Sequence, residues 1–596
     1  MIDYRTIPSI PRLFLERAAL VPDRPCLWWR GRGGWGHHTY GEVADRILRL
    51  AAGLTAIGVA KGDRVALIAE NRPDWFIADH AIMAAGGIVV PAYTTNNVAE
   101  HRHVLANSGA TVAIVSTRAL ADKVIAAARQ TDACRTIIAI ESPEEPPADL
   151  RLIGWADAFA AGEGRAGEAR AAVDRLARAD MAAIIHTSGT GGVPRGATLT
   201  HGSILANCWG AYELLRPYGL EHEIYLSFLP LSHSYEFTVC GAFALGIGAE
   251  IYVSDGAEHL ARNMTEVKPT LMAAVPRLYE TLHQRITHQL ARDGGLKAKL
   301  FHAAVRLGAK RHADPSGLSL VERFADRALD RIVRAKVAER FGGRLKAMVS
   351  GSAPLNPDIG TFFTALGVTI LQGYGQTEAS PVISANPPGR VKLDTVGPPL
   401  AGVEAKIAPD GEIMVRGELV MKGYWNDPEA TTQVIRDGWL CTGDIGLIDA
   451  DGYLKITDRK KDFIKNSGGD MIAPAKIEGM LTLEPEIAQA MVYGDRKPHL
   501  VALLVPREAT IEAFLDKRNL VDGTLADICE EAEFRAVVDR AVERINARLP
   551  APERIRKFLI AREPFSIANE QMTVTLKVRR HKVREAYGTA LEALYR

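Results

Sequence analysis

Residues 186–201, HTSGTGGVPRGATLTH, gather Thr187, Ser188 and Thr190 with Gly189, Gly191, Gly192 and Gly196 around one guanidinium, that of Arg195. Glycines let successive backbone N–H groups turn toward an anion, hydroxyls add donors and the arginine adds charge, so the set suits a loop that grips phosphate. The same composition suits a plain surface linker. It is not a Walker A loop, because GxxxxGK[ST] occurs nowhere in the chain. Further along, 572–580, MTVTLKVRR, alternates apolar and polar residues, which would put Thr575, Lys577 and Arg579 on one face of an extended segment. Two other stretches are rich in functional groups, 372–378 (QGYGQTE) and 452–465 (GYLKITDRKKDFIK). Taken alone, the first reads as a strand-to-helix turn and the second as a charged linker.

The elements that must position these residues are legible from hydrophobic periodicity. Short apolar runs beginning at Arg64, Gly87, Thr111 and Met181 alternate with helical patterns, which argues for parallel sheets covered by helices and so for an α/β architecture. Residues 283–346 form a basic helical excursion broken at 314–317, DPSG. It reads as a solvated face or as a surface attracted to anionic lipid. From 395 to 453 the pattern changes to short strands with frequent Gly and Pro turns, as in antiparallel hairpins. The main body closes there, giving expected domains at 1–457 and 458–596, the second a smaller α/β unit.

Length and composition agree with that division. A chain of 596 residues exceeds the roughly 250 to 300 residues at which single cores stop growing. The 72 Lys plus Arg balance 71 Asp plus Glu, so the net charge of +1 predicts no nucleic acid or other dedicated polyanion partner. Six scattered cysteines form no CxxC pair, which suits a reducing compartment. The N-terminal stretch lacks a signal-like apolar core, and the longest uncharged apolar stretch, 237–249, is too short to span a bilayer. A cytoplasmic protein is expected, with peripheral membrane contact left open.

The loop at 186–201 closely resembles the phosphate loop of the adenylate-forming superfamily of acyl-CoA synthetases, luciferases and nonribosomal peptide adenylation domains, TSGTTGxPKGxxxTH. Here Gly191 replaces a Thr and Arg195 a Lys. Four further family motifs follow in the family's order: 350–355 (SGSAPL) with 372–378, then 438–444 (GWLCTGD), 452–465 and 572–580. The Thr-Leu before Lys577, with 275–280 (VPRLYE) and 229–233 (LPLSH), resembles the long-chain fatty acyl-CoA synthetase branch.

The resemblance, spanning about residue 10 to 596, implies a large N-terminal adenylate-forming domain, with parallel-sheet α/β subdomains and a β-rich one, and a small mobile α+β C-terminal domain. It implies that Gly351, Ser352 and Ala353 border the adenine, that Tyr374 stacks on it beside Gly375, that Thr377 contacts phosphate and that Glu378 helps hold Mg²⁺. Asp444 would take the ribose hydroxyls, with Arg459 nearby. Asp458 would be the hinge, Lys577 the mobile catalytic lysine, and Gly468 and Gly469 would line the pantetheine path of CoA. His233 would sit by the carboxylate end of an acyl pocket, or be a loop histidine bonded to backbone. Phe237 would gate that pocket, although 237–249 also reads as a buried core helix.

The implied reaction is ATP-dependent conversion of a medium- or long-chain fatty acid to acyl-AMP, then to acyl-CoA. A carboxylate is a poor electrophile until one oxygen becomes part of a leaving group, and adenylation achieves that. Other readings are loading of a carrier-protein pantetheine, ligation of another hydrophobic or aryl acid, and a degenerate binding protein suggested by Gly191 and Arg195. The branch also leaves a homodimer open.

Overall fold

The computed structural model describes residues 2–144, 147–187, 194–460, 463–467, 470–520, 523–573 and 577–596. The chain separates into two compact units. One comprises 1–406, 414–442 and 448–455, and the other comprises 407–413, 443–447 and 456–596.

The first unit contains two eight-stranded sheets. In one, Ile370–Gly375, Ala347–Ser350, Leu271–Ala274, Ile224–Ser227, Glu250–Val253 and Pro25–Gly31 lie side by side in parallel, with Val382–Ala385 and Gly34–Thr39 as antiparallel edges. In the other, Met181–Thr187, Ile88–Pro91, Arg64–Ile68, Val112–Val115, Thr136–Ala139 and Arg151–Gly154 are parallel. The runs IVVP and VAIV in its centre are buried at every position, as strands covered on both faces must be. Expected strand positions and observed ones agree within a residue or two.

Local signals set the helix limits. Tyr40–Ile57 begins at Thr39, whose side chain and that of Glu42 cap each other's backbone, and ends at Gly58 in the left-handed conformation, φ 117°. Ser319 and Glu322 form the same box ahead of Leu320–Leu329. The expected helical excursion is present as Pro276–Asp293, Gly295–Ala313 and Leu320–Leu329, interrupted at 314–317. No helix among the described residues is long and apolar enough to cross a membrane.

Between 404 and 459 lies a separate five-stranded sheet, the expected β-rich region. The C-terminal part of the second unit is α+β. The strands Ile487–Tyr493, Leu500–Pro506 and Ile555–Ile560 pack with helix Ala532–Asn546 around a core that includes Leu503, Phe534, Val538 and Ile545.

Candidate active site

The candidate residues of the first unit cluster at the carboxyl ends of its parallel strands, where open α/β sheets place their ligand crevices. The strand Ile224–Ser227 leads to the turn that carries His233, Ala347–Ser350 leads to Gly351, Ser352 and Ala353, and Ile370–Gly375 leads to a single 3₁₀ turn, Thr377–Ala379.

Hydrogen bonds join these ends. The Ser234 and Thr377 hydroxyls are 2.8 Å apart. Tyr235 donates its hydroxyl to the Val349 carbonyl at 2.9 Å, and its ring lies where a Cβ on Gly351 would come within 3.1 Å. Gly375 is more constrained, since a Cβ there would stand 1.8 Å from the Pro381 carbonyl oxygen. Ser352 adopts the left-handed conformation with φ 69°, and Tyr374 is buried beneath the turn.

The phosphate-loop candidate connects two antiparallel strands, Met181–Thr187 and Arg195–Thr200, and Thr187 pairs with Arg195. The helix His201–Leu215 starts only after the second strand, so the loop is a hairpin connection and not the N-terminus of a helix. Ser188, Gly189, Thr190, Gly191 and Gly192 lie outside the described residues. Burial holds the flanking His186 down to about 4 and His201 to about 3, so both are neutral at pH 7. Of the charges the motif could carry, Arg195 supplies the one present at neutral pH.

Arg195 is exposed, with Nε 3.3 Å from Asp427 Oδ2 and its guanidinium carbon 5.5 Å from the Tyr424 ring centroid. Tyr424 in turn donates its hydroxyl to Glu378 Oε1 at 2.7 Å, and burial beside that carboxylate pushes the phenol pKa up. Arg195 and Glu378, 183 positions apart in sequence, are thus linked through one tyrosine that sequence reasoning missed. Its available signal was the aromatic pair Tyr424-Trp425 after Gly423. Gly423–Tyr424 is a two-residue strand on the edge of Arg195–Thr200, too short to register as a strand pattern.

His233 caps the helix Ser234–Thr238, and its Nδ1 accepts from the Tyr235 N–H at 3.1 Å. The backbone-bonded reading therefore holds for that nitrogen, and it assigns the neutral ring's proton to Nε2. Phe237 is 2% exposed, with its ring edge-on to Trp75 at 5.9 Å. The helix containing it switches at Val239–Ala244 to π-helical geometry, which periodicity had not revealed. Val239 and Phe243, about one π-helical turn apart, line a small apolar cavity with Leu215, Tyr225, Leu271 and Met272.

One turn back, Glu236 is buried, accepting from Ser227 Oγ at 2.7 Å and Tyr225 Oη at 3.0 Å. Loss of hydration raises its pKa to about 8 against those hydrogen bonds and one involving Cys240. Sequence reading passed over this residue, because one Glu in an apolar stretch carries no spacing signal.

The second unit holds its own cluster. Asp444, 4% exposed in the strand Trp439–Ile448, lies with Oδ1 3.3 Å from Arg459 Nε. Asp458 is buried at the end of Leu454–Arg459 and accepts from the Arg459 N–H at 2.6 Å. Lys577 is in electrostatic reach of both Asp444 and Arg459. Its pKa is lowered to about 8, chiefly by lost hydration and further by Arg459, against the pull of Asp444. Its surface still faces solvent, so this is the crowding of a cleft and not of a core, and the ammonium stays mostly protonated at pH 7.

The expected extended run through Lys577 lies partly outside the described residues, and the residues flanking 574–576 pair with one another. The Thr573 N–H donates to the Lys577 carbonyl at 2.8 Å and Met572 bridges Val578 antiparallel. Thr575, Gly468 and Gly469 fall outside the described residues.

A cluster at parallel-strand ends, with a hairpin connection and an aromatic–Thr–Glu turn, agrees with what the whole sequence matches. Residues 14–425 match the pattern of the AMP-binding enzyme family, and 461–596 match that of the AMP-binding enzyme C-terminal domain. The chain belongs to the AMP-binding enzyme family.

Among its relatives, it is 34% identical to the long-chain-fatty-acid–CoA ligase FadD15 of Mycobacterium bovis, over 94% of this chain and 93% of the relative. It is 31% identical to the peroxisomal long chain acyl-CoA synthetase 6 of Arabidopsis thaliana, over 95% and 82%. Among solved structures, the adenylation domain of a carboxylate reductase from Mycobacterium chelonae superposes with a TM-score of 0.77 at 22% identity, covering 98% of this chain and 91% of that one. The anthranilate CoA ligase AuaEII, solved with anthranoyl-AMP, gives a TM-score of 0.71 at 20% identity, covering 99% and 100%. These superpositions show that the chain shares the fold of those two proteins.

Proposed function

We propose that this protein is an AMP-forming ligase that activates a medium- or long-chain fatty acid with ATP and transfers the acyl group to CoA, releasing AMP and pyrophosphate. The observation that carries this reading is end-to-end similarity to enzymes named long-chain-fatty-acid–CoA ligases, with the chain covering 93% of the first. The geometry of the first unit supports it.

In this proposal Tyr374 and Gly351 to Ala353 frame the adenine, while Thr377 and the hairpin at 187–195 receive the phosphates. Arg195 stabilises charge there, held in place by Asp427 and the Tyr424 face. A divalent cation fits Glu378, because Mg²⁺ needs only one or two carboxylates beside substrate phosphates. Among the described residues no group of three or more His, Cys, Asp and Glu side chains could cage a metal by itself. When bound, Mg²⁺ would neutralise phosphate charge.

The N–H at His233 Nε2 would orient the fatty acid carboxylate, and Phe237, packed on Trp75, would turn aside to admit the acyl chain. Asp444 would take the ribose hydroxyls. Lys577 would stabilise departing pyrophosphate, and a pivot at Asp458 would then exchange it for the thiol path beside Gly468 and Gly469. On this reading the functional domains are 1–457 and 458–596. The buried thiols Cys26, Cys134, Cys208, Cys240 and Cys529 suit a reducing cytoplasm. Peripheral contact with membrane and a homodimer belong to the same proposal.

The test is AMP formation from a panel of fatty, aryl and short acids, with and without CoA. Each methylene buried contributes about 0.8 kcal/mol, so every two-carbon extension should raise kcat/KM roughly tenfold until the acyl site is full. Equal turnover of acetate, benzoate and palmitate would refute the fatty-acid reading. Turnover with a phosphopantetheinylated carrier but not with CoA would refute CoA as acceptor.

A further inference from the structure

The helix over Leu320–Leu329, continued through a π-helical turn at Asp330–Arg334 and Ala335–Arg340, is built inside out. Leu320, Val321 and Phe324 are 83, 79 and 78% exposed, and Ile332 follows on the outer side at 47%. The buried side instead holds Asp326 and Arg334 beside Leu329 and Val333. A surface helix ordinarily turns its apolar stripe to the core.

Polar bonds hold the reversed setting. Arg334 donates to the Ala365 carbonyl at 2.7 Å, to the Ala304 carbonyl at 2.8 Å and to Asp326 at 2.6 Å, and Arg311 reaches the other Asp326 oxygen at 2.8 Å. Rotating the stripe inward would break this network and leave a buried charge unpaired, so the outward apolar face is enforced by the fold.

The surroundings are strongly cationic. Residues 295–346 contain thirteen Lys and Arg against five Asp and Glu, a net +8, whereas the whole chain is +1 and the remainder therefore −7. Glu322, Asp326 and Asp330 are already paired with Lys310, Arg334 and Arg311 within the segment. Arg323, Arg327 and Arg331 stay exposed at the borders of the apolar stripe.

We propose that this face docks on an anionic lipid bilayer, with Leu320, Val321 and Phe324 entering the acyl boundary and Arg323, Arg327 and Arg331 meeting headgroup phosphates. A large apolar stripe flanked by arginines is the pattern of a helix lying in the membrane interface. A second copy is disfavoured as occupant, because a self-complementary contact would set one +8 surface against another. The proposal rests on the peripheral membrane contact inferred above and assigns it a surface. It gives the enzyme access to fatty acids while they are still dissolved in the bilayer.

The experiment is flotation of the full-length protein with phosphatidylglycerol–phosphatidylcholine vesicles and with phosphatidylcholine vesicles alone. The wild type should float with the anionic vesicles and be released by high salt. Leu320→Ser with Phe324→Ser should lower partitioning at least about 100-fold. Arg327→Glu with Arg331→Glu should lower it about 10- to 100-fold, and both variants should activate a water-soluble medium-chain acid at the wild-type rate. Wild-type flotation of the Leu320/Phe324 variant would overturn this surface and leave the peripheral reading standing. Failure of the wild type to float would overturn both. A change from dimer to monomer in the apolar variant, by sedimentation velocity, would show that the face joins two copies instead.

Discussion

Glu236 supplies a test of whether burial governs the acyl-pocket region. Burial moves its carboxyl from 4.5 to about 8, outweighing the hydrogen bonds from Ser227 and Tyr225. Between those values the folded protein keeps a proton that the unfolded chain has released, so stability must fall as pH rises from about 4.5 to about 8 and level off above. The slope is about 1.4 kcal/mol per pH unit and the whole effect about 5 kcal/mol. Glu236→Gln stays neutral at every pH and keeps the side-chain volume. Its NH₂ group replaces one of the two oxygens and meets the one hydroxyl that donates there, a mismatch worth about 1–2 kcal/mol that does not vary with pH.

The two stability curves must therefore cross. The variant should be the less stable protein near pH 5 and the more stable near pH 8, by about 3 kcal/mol. For a unit of this size that is about 3 °C in apparent Tm. Scanning calorimetry across the pH series measures it, and subtraction of the two curves removes the other titrating groups. Parallel curves would mean that Glu236 is ionised throughout, and the desolvation argument would fail.

Lys577→Ala should slow acyl-adenylate formation roughly 10²- to 10³-fold while sparing CoA attack on supplied acyl-AMP; equal losses in both half-reactions would remove Lys577 from the role. Asp458→Pro fixes φ at one value, so adenylation should persist while thioester formation collapses. Normal rates for both steps would place the pivot elsewhere. Arg195→Lys should retain substantial activity because the charge remains, whereas Arg195→Ala should weaken ATP use. An unchanged KM and kcat for ATP in the Ala variant would exclude residue 195 from phosphate binding.

Much of the architecture was legible before any coordinates, because it follows from local chemistry. The apolar runs at 64–68, 88–91 and 112–115 could only be covered strands, and the DPSG break at 314–317 could only interrupt helices. The candidate residues, too, were visible as motifs, since each functional stretch is contiguous. What the sequence by itself determined was therefore the element order and the inventory of reactive groups.

Only the tertiary structure decided which groups meet. The link from Arg195 through Tyr424 to Glu378 joins two strands of one sheet to a turn that follows a strand of the other, and no spacing rule connects them. The π-helical turn at Val239–Ala244 and the burial of Glu236 likewise depend on what packs alongside. The same holds for the helix at Leu320–Leu329, whose apolar and charged stripes are both plain in sequence. Which of them faces outward was set by Arg334 and Asp326 bonding to two neighbouring helices, a long-range contact that periodicity along one segment cannot encode.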